Sequence, residues 1–161
     1  MRPVALAASI LLALPVAAHA HGETSHGKPA VNPARAEQQS FGRAGDPKAA
    51  KRTVRITMGD TMRFSPATLS IKQGETVRFI VRNDGKLLHE MVLGTHEELA
   101  KHAELMRKFP DMEHDEPHMV HVQPGRTEVM VWQFNRPGEF RFACLVPGHY
   151  EAGMTGTITV R

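Results

Sequence analysis

The sequence predicts an all-β sandwich of short strands with one inserted helix. Two observations point to the sandwich. Short runs of β-branched and aromatic residues alternate with polar ones between Val54 and Val160, and Gly, Pro and Asn clusters separate them at regular spacing. A third observation adds the helix: between Thr95 and Lys108 the apolar period changes from two to that of a helix.

The first twenty residues stand apart from the fold. Arg2 gives a positive start, Val4 to Ala18 is apolar apart from Ser9, and Ala18-His19-Ala20 fits a small-x-small cleavage site. Residues 1–20 therefore read as a secretory signal peptide, and the exported chain is expected to start at His21 in the periplasm. The apolar core is shorter than the roughly 20 residues of a membrane anchor. No later stretch is long and apolar enough to span, so no membrane span is expected after cleavage. Residues 21–51 are rich in Gly, Pro, Ala and polar side chains, with Val31 and Phe41 as the only large apolar ones. Such a segment buries too little surface to fold alone and is expected to be a flexible arm carrying His21 and His26.

The folded domain is expected over 52–161. Val54 and Ile56 alternate with Arg55 and Thr57, as in a half-buried strand. Phe64-Ser65-Pro66 interrupts the pattern, and Leu69 and Ile71 resume it. After the turn Gln73-Gly74-Glu75, a strand from Thr76 is closed by Asn83-Asp84-Gly85. Met91 to Leu93 continues the β pattern after His89. Thr95 with Glu98 is a capping-box signature, Leu99, Ala103, Met106 and Phe109 follow at helical spacing, and Pro110 ends the run. This predicts a helix over 95–108, packed on the sandwich edge, with His96 and His102 facing solvent. Strands are expected again at 127–134, 139–143 and 155–160.

A chain of this length supports one domain with one core once the signal peptide is gone. The formal charge is +3, and losing Arg2 leaves +2. Basic and acidic residues are interspersed, so no clustered basic face for nucleic acid is expected. A monomer is expected.

The chemistry concentrates at Cys144-x4-His149-x4-Met154, between the strand of Phe140 and Phe142 and the strand from Thr155. Cys144 is the only cysteine. In an oxidising compartment a leftover cysteine is either an intermolecular bridge or a functional thiol. A thiolate, an imidazole and a thioether at this spacing suit copper, and His89 is the best candidate for a second imidazole. Cys144 beside a histidine has the chemistry of a thiol hydrolase pair, but the strand–loop–strand setting and the additional His and Met argue against it.

Asn83 and His89 followed by Cys144, His149 and Met154 resemble the ligand pattern of the cupredoxins. The likeness runs over roughly 53–161. It includes F-S-P-x-x-L-x-I-x-x-G-E-x-V from Phe64 to Val77 and P-G-E-F-R-F-x-C from Pro137 to Cys144. Within the family the chain is most similar to periplasmic copper-tolerance members of the CopI type. The resemblance implies a cupredoxin-like Greek-key β-sandwich with one inserted helix. It also implies one type 1 copper held by His89, Cys144, His149 and Met154, the thioether as weak axial ligand, with Asn83 bracing the ligand loops. Gly148 and Gly153 are expected to let the backbone turn tightly around the metal.

A second group draws attention after the helix: Met112, His114, His118, Met119 and His121 lie among acids. Thioethers and imidazoles there are candidates for weaker accessory copper, as is His21 through its amino group and ring. If 118–122 is extended, Met119 and His121 share a face and His118 points the other way. The other reading is a polar loop leading into a strand, with Val120 and Val122 in the core. The sequence therefore points to a periplasmic copper-binding protein of copper tolerance or homeostasis rather than an enzyme, with copper ions as ligands and a redox or copper-transport partner. A soluble periplasmic electron-transfer protein is the alternative. A catalytic copper oxidase lacks the further coppers that oxygen reduction needs.

Overall fold

The computed structural model describes residues 35–110, 112 and 115–161. The expected signal peptide, His21, His26 and His114 lie outside the described residues. Two sheets form a sandwich, in the chain order β1 (Gln38–Gln39), β2 (Gly42–Ala44), β3 (Arg52–Gly59), β4 (Arg63–Ser65), β5 (Thr68–Ile71), β6 (Thr76–Asn83) and β7 (His89–Gly94). Helix α1 (His96–Lys108) follows, then β8 (Met119–Val122), β9 (Thr127–Gln133), β10 (Gly138–Ala143) and β11 (Thr155–Val160). One sheet has the order β1-β2-β9-β6-β3-β4 and the other β5-β11-β10-β7-β8. The chain changes sheets at Ser65-Pro66-Ala67, since β4 pairs with β3 and β5 with β11.

Period-two alternation determines which side chains meet between the sheets. Val54, Ile56 and Met58 of β3 and Val77, Phe79 and Val81 of β6 face inward against Phe142, Ile158 and Val160 of the opposite sheet. Removing such side chains from water is the main favourable term, about 1.5–3 kcal/mol for each large one.

The helix begins where its capping box places it. The Thr95 side chain accepts from the Glu98 N–H at 3.2 Å, and the Glu98 carboxylate accepts from the Thr95 N–H at 2.8 Å. Acidic residues in the first turn and Arg107 and Lys108 in the last complement the helix dipole. Its position differs from the expected edge. Leu99, Ala103 and Met106 cover the outer face of the second sheet, packing with Val92, Met119, Ala143 and Leu145. Strand β7 is consequently buried along its whole length, between the sandwich interior and the helix. Phe109 caps the helix and is 58% exposed, so it closes the apolar stripe without joining the core.

The fold also begins earlier than residue 52, which corrects the expected arm over its described part. Gly42–Ala44 pairs with β9, Phe41 is buried and stacks on Trp132, and the Trp132 Nε1–H donates to the Phe41 carbonyl. The physical reason is long-range: a solitary aromatic in a polar stretch has no periodicity of its own, and its packing partner lies 91 residues away.

Candidate metal centre

The centre arises from the antiparallel pairing of β7 and β10. Val92 pairs with Ala143, which brings the start of β7 and the end of β10 to the same end of the sheet. His89 opens β7, and Cys144 follows β10 directly. The loop after Cys144 then folds on itself. His149 N–H donates to Val146 O at 2.9 Å, Met154 N–H to His149 O at 3.0 Å, and Cys144 N–H to Met154 O at 3.1 Å. Gly148 and Gly153 have φ of +88° and +84°, a region that side chains disfavour, as the expected tight turn requires.

His89, Cys144 and His149 come together with ligand atoms all within 4.8 Å of one another. Cys144 Sγ lies 3.3 Å from His149 Nδ1 and 4.0 Å from His89 Nδ1. His89, Cys144 and Met154 are fully buried, and His149 is 9% exposed. Burial is the main cause that pushes the Cys144 thiol up to about 12, and burial followed by the nearby His89 holds His149 below its usual range. A buried thiol with two imidazoles aimed at it, one short of protons, fits a soft-to-borderline cation that displaces the thiol proton. Thiolate with imidazole is a donor set for copper. The same mutual spacing allows one ion to reach all three donors.

The surroundings orient these ligands. His89 Nε2 lies 3.1 Å from Asp60 Oδ1, so the ring presents Nδ1 to the centre. Asp60 also accepts from the backbone N–H groups of Lys86 at 2.8 Å and Leu87 at 3.3 Å. The first of these is the leading cause that lowers its carboxyl below the usual range. Cys144 Sγ accepts from the Glu90 N–H at 3.4 Å. Asn83 braces the loop before His89. Its Nδ2 donates to Leu87 O at 2.7 Å and Val122 O at 2.8 Å, and its Oδ1 accepts from the Gly85 N–H at 2.8 Å. Sequence reasoning missed Asp60 and Glu90. Neither has a local signal, although Glu90 follows a candidate ligand directly.

The accessory candidates are divided. Met119 is fully buried in the cluster under the helix. His118 packs edge-on against Phe41 and Trp132. His121 lies on the other side, its Nε2 3.0 Å from Glu90 Oε2, and shares a cavity of about 560 Å³ with Glu90, Met106, Met112 and Asp115. The structure thus places Met112 and His121 around one cavity but not His118 or Met119: His118 is held against Phe41 and Trp132, and Met119, on the face it shares with His121, is packed into the cluster under the helix.

Residues 50–161 match the family of copper binding proteins described as plastocyanin/azurin. The copper-resistant cuproprotein CopI of Rubrivivax gelatinosus is 46% identical over 164 residues, covering 100% of this chain and 97% of the relative. The protein of the same name from Pseudomonas aeruginosa is 34% identical, covering 78% and 85%. Among solved structures, sodium-dithionite-reduced auracyanin from the photosynthetic bacterium Roseiflexus castenholzii superimposes with a TM-score of 0.60 at 24% identity, over 70% of this chain and 98% of that one. That last likeness concerns the fold alone, the two-sheet sandwich the sequence predicts. With the His–Cys–His group inside the matched region, the chain belongs to the plastocyanin/azurin family of copper-binding proteins.

Proposed function

We propose that this is an exported, periplasmic protein of copper tolerance, with one type 1 copper held by His89, Cys144, His149 and axial Met154. The observation that carries the reading is the buried His89–Cys144–His149 group closed by its own hydrogen-bonded loop. Relatives similar over most of the chain and named copper-resistant cuproproteins support the physiological part. Bound copper supplies one-electron exchange and, through the thiolate, intense visible absorption. The protein's own contribution is rigidity. Asp60 and Asn83 hold His89 and its approach, the 145–154 loop holds His149, and the main core cluster keeps water from Cys144. Nothing in this arrangement calls for a substrate other than copper, and we read the protein as a binding and redox protein rather than an enzyme.

Deleting the gene should make cells sensitive to copper while leaving respiration normal at low copper. Copper-tolerant deletion cells with an electron-transport defect would decide for the alternative, a periplasmic electron carrier. One feature favours that second reading: Leu88 is 37% exposed and shares the cavity beside the centre with Val146 and Pro147, an apolar rim suited to transient docking. Met112 and His121, in the same cavity, are the described candidates for accessory copper capture, and replacing both should weaken protection while leaving the colour of the main centre.

The axial assignment has its own test. Met154→Leu should keep the colour and raise the midpoint potential, because a weak donor that favours Cu(II) is lost. A redox titration showing an unchanged potential would remove Met154 from the ligand set.

A further inference from the structure

The geometry points to a built-in bias of the centre toward oxidised copper, set by two carboxylates, Asp60 and Glu90, that reach the ligands by separate routes. The inference rests on the copper centre assigned above and goes beyond its ligand set.

Asp60 acts through His89. Its Oδ1 takes the His89 Nε2 contact at 3.1 Å, and its two oxygens are fixed by the Lys86 and Leu87 N–H groups. A carboxylate on the far nitrogen of a ligating imidazole makes the ring a stronger donor. The site is shaped for this approach: a Cβ at Gly85 would lie 2.1 Å from Asp60 Oδ1, so residue 85 has no space for a side chain while Asp60 is in place. The Asp60 side chain is 37% exposed, so water screens part of its charge.

Glu90 acts from the other side and is almost wholly buried, at 1% exposure. Its Oε1 accepts from the Leu145 N–H at 2.8 Å, next to Cys144, and its Oε2 faces His121 Nε2 at 3.0 Å. The same residue gives its backbone N–H to Cys144 Sγ. Glu90 therefore ties the His89 strand to the Cys144 strand and places an acidic group beside the thiolate, in surroundings that screen it little.

Both groups act alike. Each favours the copper state with the larger positive charge, so each lowers the reduction potential. Both are positioning residues: neither belongs to the donor group. The consequence is functional. Relative to the same ligand set without the two carboxylates, the centre favours Cu(II) over Cu(I) and gives up an electron more readily.

The test compares purified copper-loaded wild type with Asp60→Asn, Glu90→Gln and the double variant. Glu104→Gln, on the outer side of α1, serves as a charge control. Glutamine at 90 keeps an acceptor for the Leu145 N–H and a group able to meet His121. Redox titration gives the midpoint potential, and competition with chelators gives separate Cu(II) and Cu(I) affinities. Each single variant should raise the potential and lower the ratio of Cu(II) to Cu(I) affinity roughly tenfold. The double variant should shift further, and the control should not move. Gly85→Ala, which displaces Asp60 without removing a charge, should shift the potential in the same direction, and it keeps the test open if Glu90→Gln fails to fold. Folded, coloured Asp60→Asn and Glu90→Gln proteins at the wild-type potential would overturn the inference. Wild type that takes up no copper at this centre would instead overturn the assignment beneath it.

Discussion

Replacing Cys144 with alanine is expected to abolish the visible absorption of the copper-loaded protein and to remove copper from the main centre. The absorption needs a sulfur-to-copper transition, and Cys144 is the only cysteine in the chain. The remaining donors, His89, His149 and Met154, would bind a metal through uncharged nitrogen and sulfur atoms that cannot replace the charge of a thiolate. The fold should survive. Cys144 is fully buried within the main core cluster, and trimming one sulfur there costs about 1 kcal/mol. Circular dichroism should match wild type while the visible band is gone. An alanine variant that binds copper and stays coloured would mean that the centre is elsewhere.

The largest stability effect is expected at Phe142. Its ring is fully buried, meets Phe64 edge-on with centroids 4.9 Å apart, and lies over Gly156, its register partner on β11. The fit is close enough that a Cβ at Gly156 would come within 2.1 Å of the ring. Phe142→Ala empties this space two residues before Cys144, and the neighbouring strands cannot collapse into it without breaking their pairing. The loss should be about 3–5 kcal/mol. Urea unfolding of the copper-free protein should show a lower midpoint with an unchanged slope. A loss below about 1 kcal/mol would show that the sheets close up around the gap.

The parts of the molecule that were legible in the sequence are those whose causes are local. Thr95 and Glu98 meet within one helical turn, so the helix start could be read from spacing. Cys144, His149 and Met154 lie in one short run, so three-quarters of the expected ligand set sat together, and the β rhythm before His89 suggested the fourth member. What remained hidden depends on distant partners. Phe41 matters because of Trp132, and Asp60 because the loop after β6 returns to it. Glu90 matters because β10 lies beside β7, a pairing no local pattern announces. That the accessory histidines face apart was legible in strand alternation, but the partners that hold them were not. His118 and His121 are close in sequence, but the first is held against Trp132 and the second against Glu90.

The small hairpin at the start of the described chain also governs how the sandwich meets its own copies. Without it, the last turns of backbone in β9 would end the larger sheet as an open edge, a template onto which another chain can add a strand. Arg43 and Ala44 instead pair with Gln133 and Trp132, and the Gly45 N–H takes the Val131 carbonyl at 3.0 Å. The sheet then terminates in β1, only two residues long, which offers little to extend. Protease trimming to residue 46 should uncover that border and promote aggregation while the His89, Cys144 and His149 group stays in place.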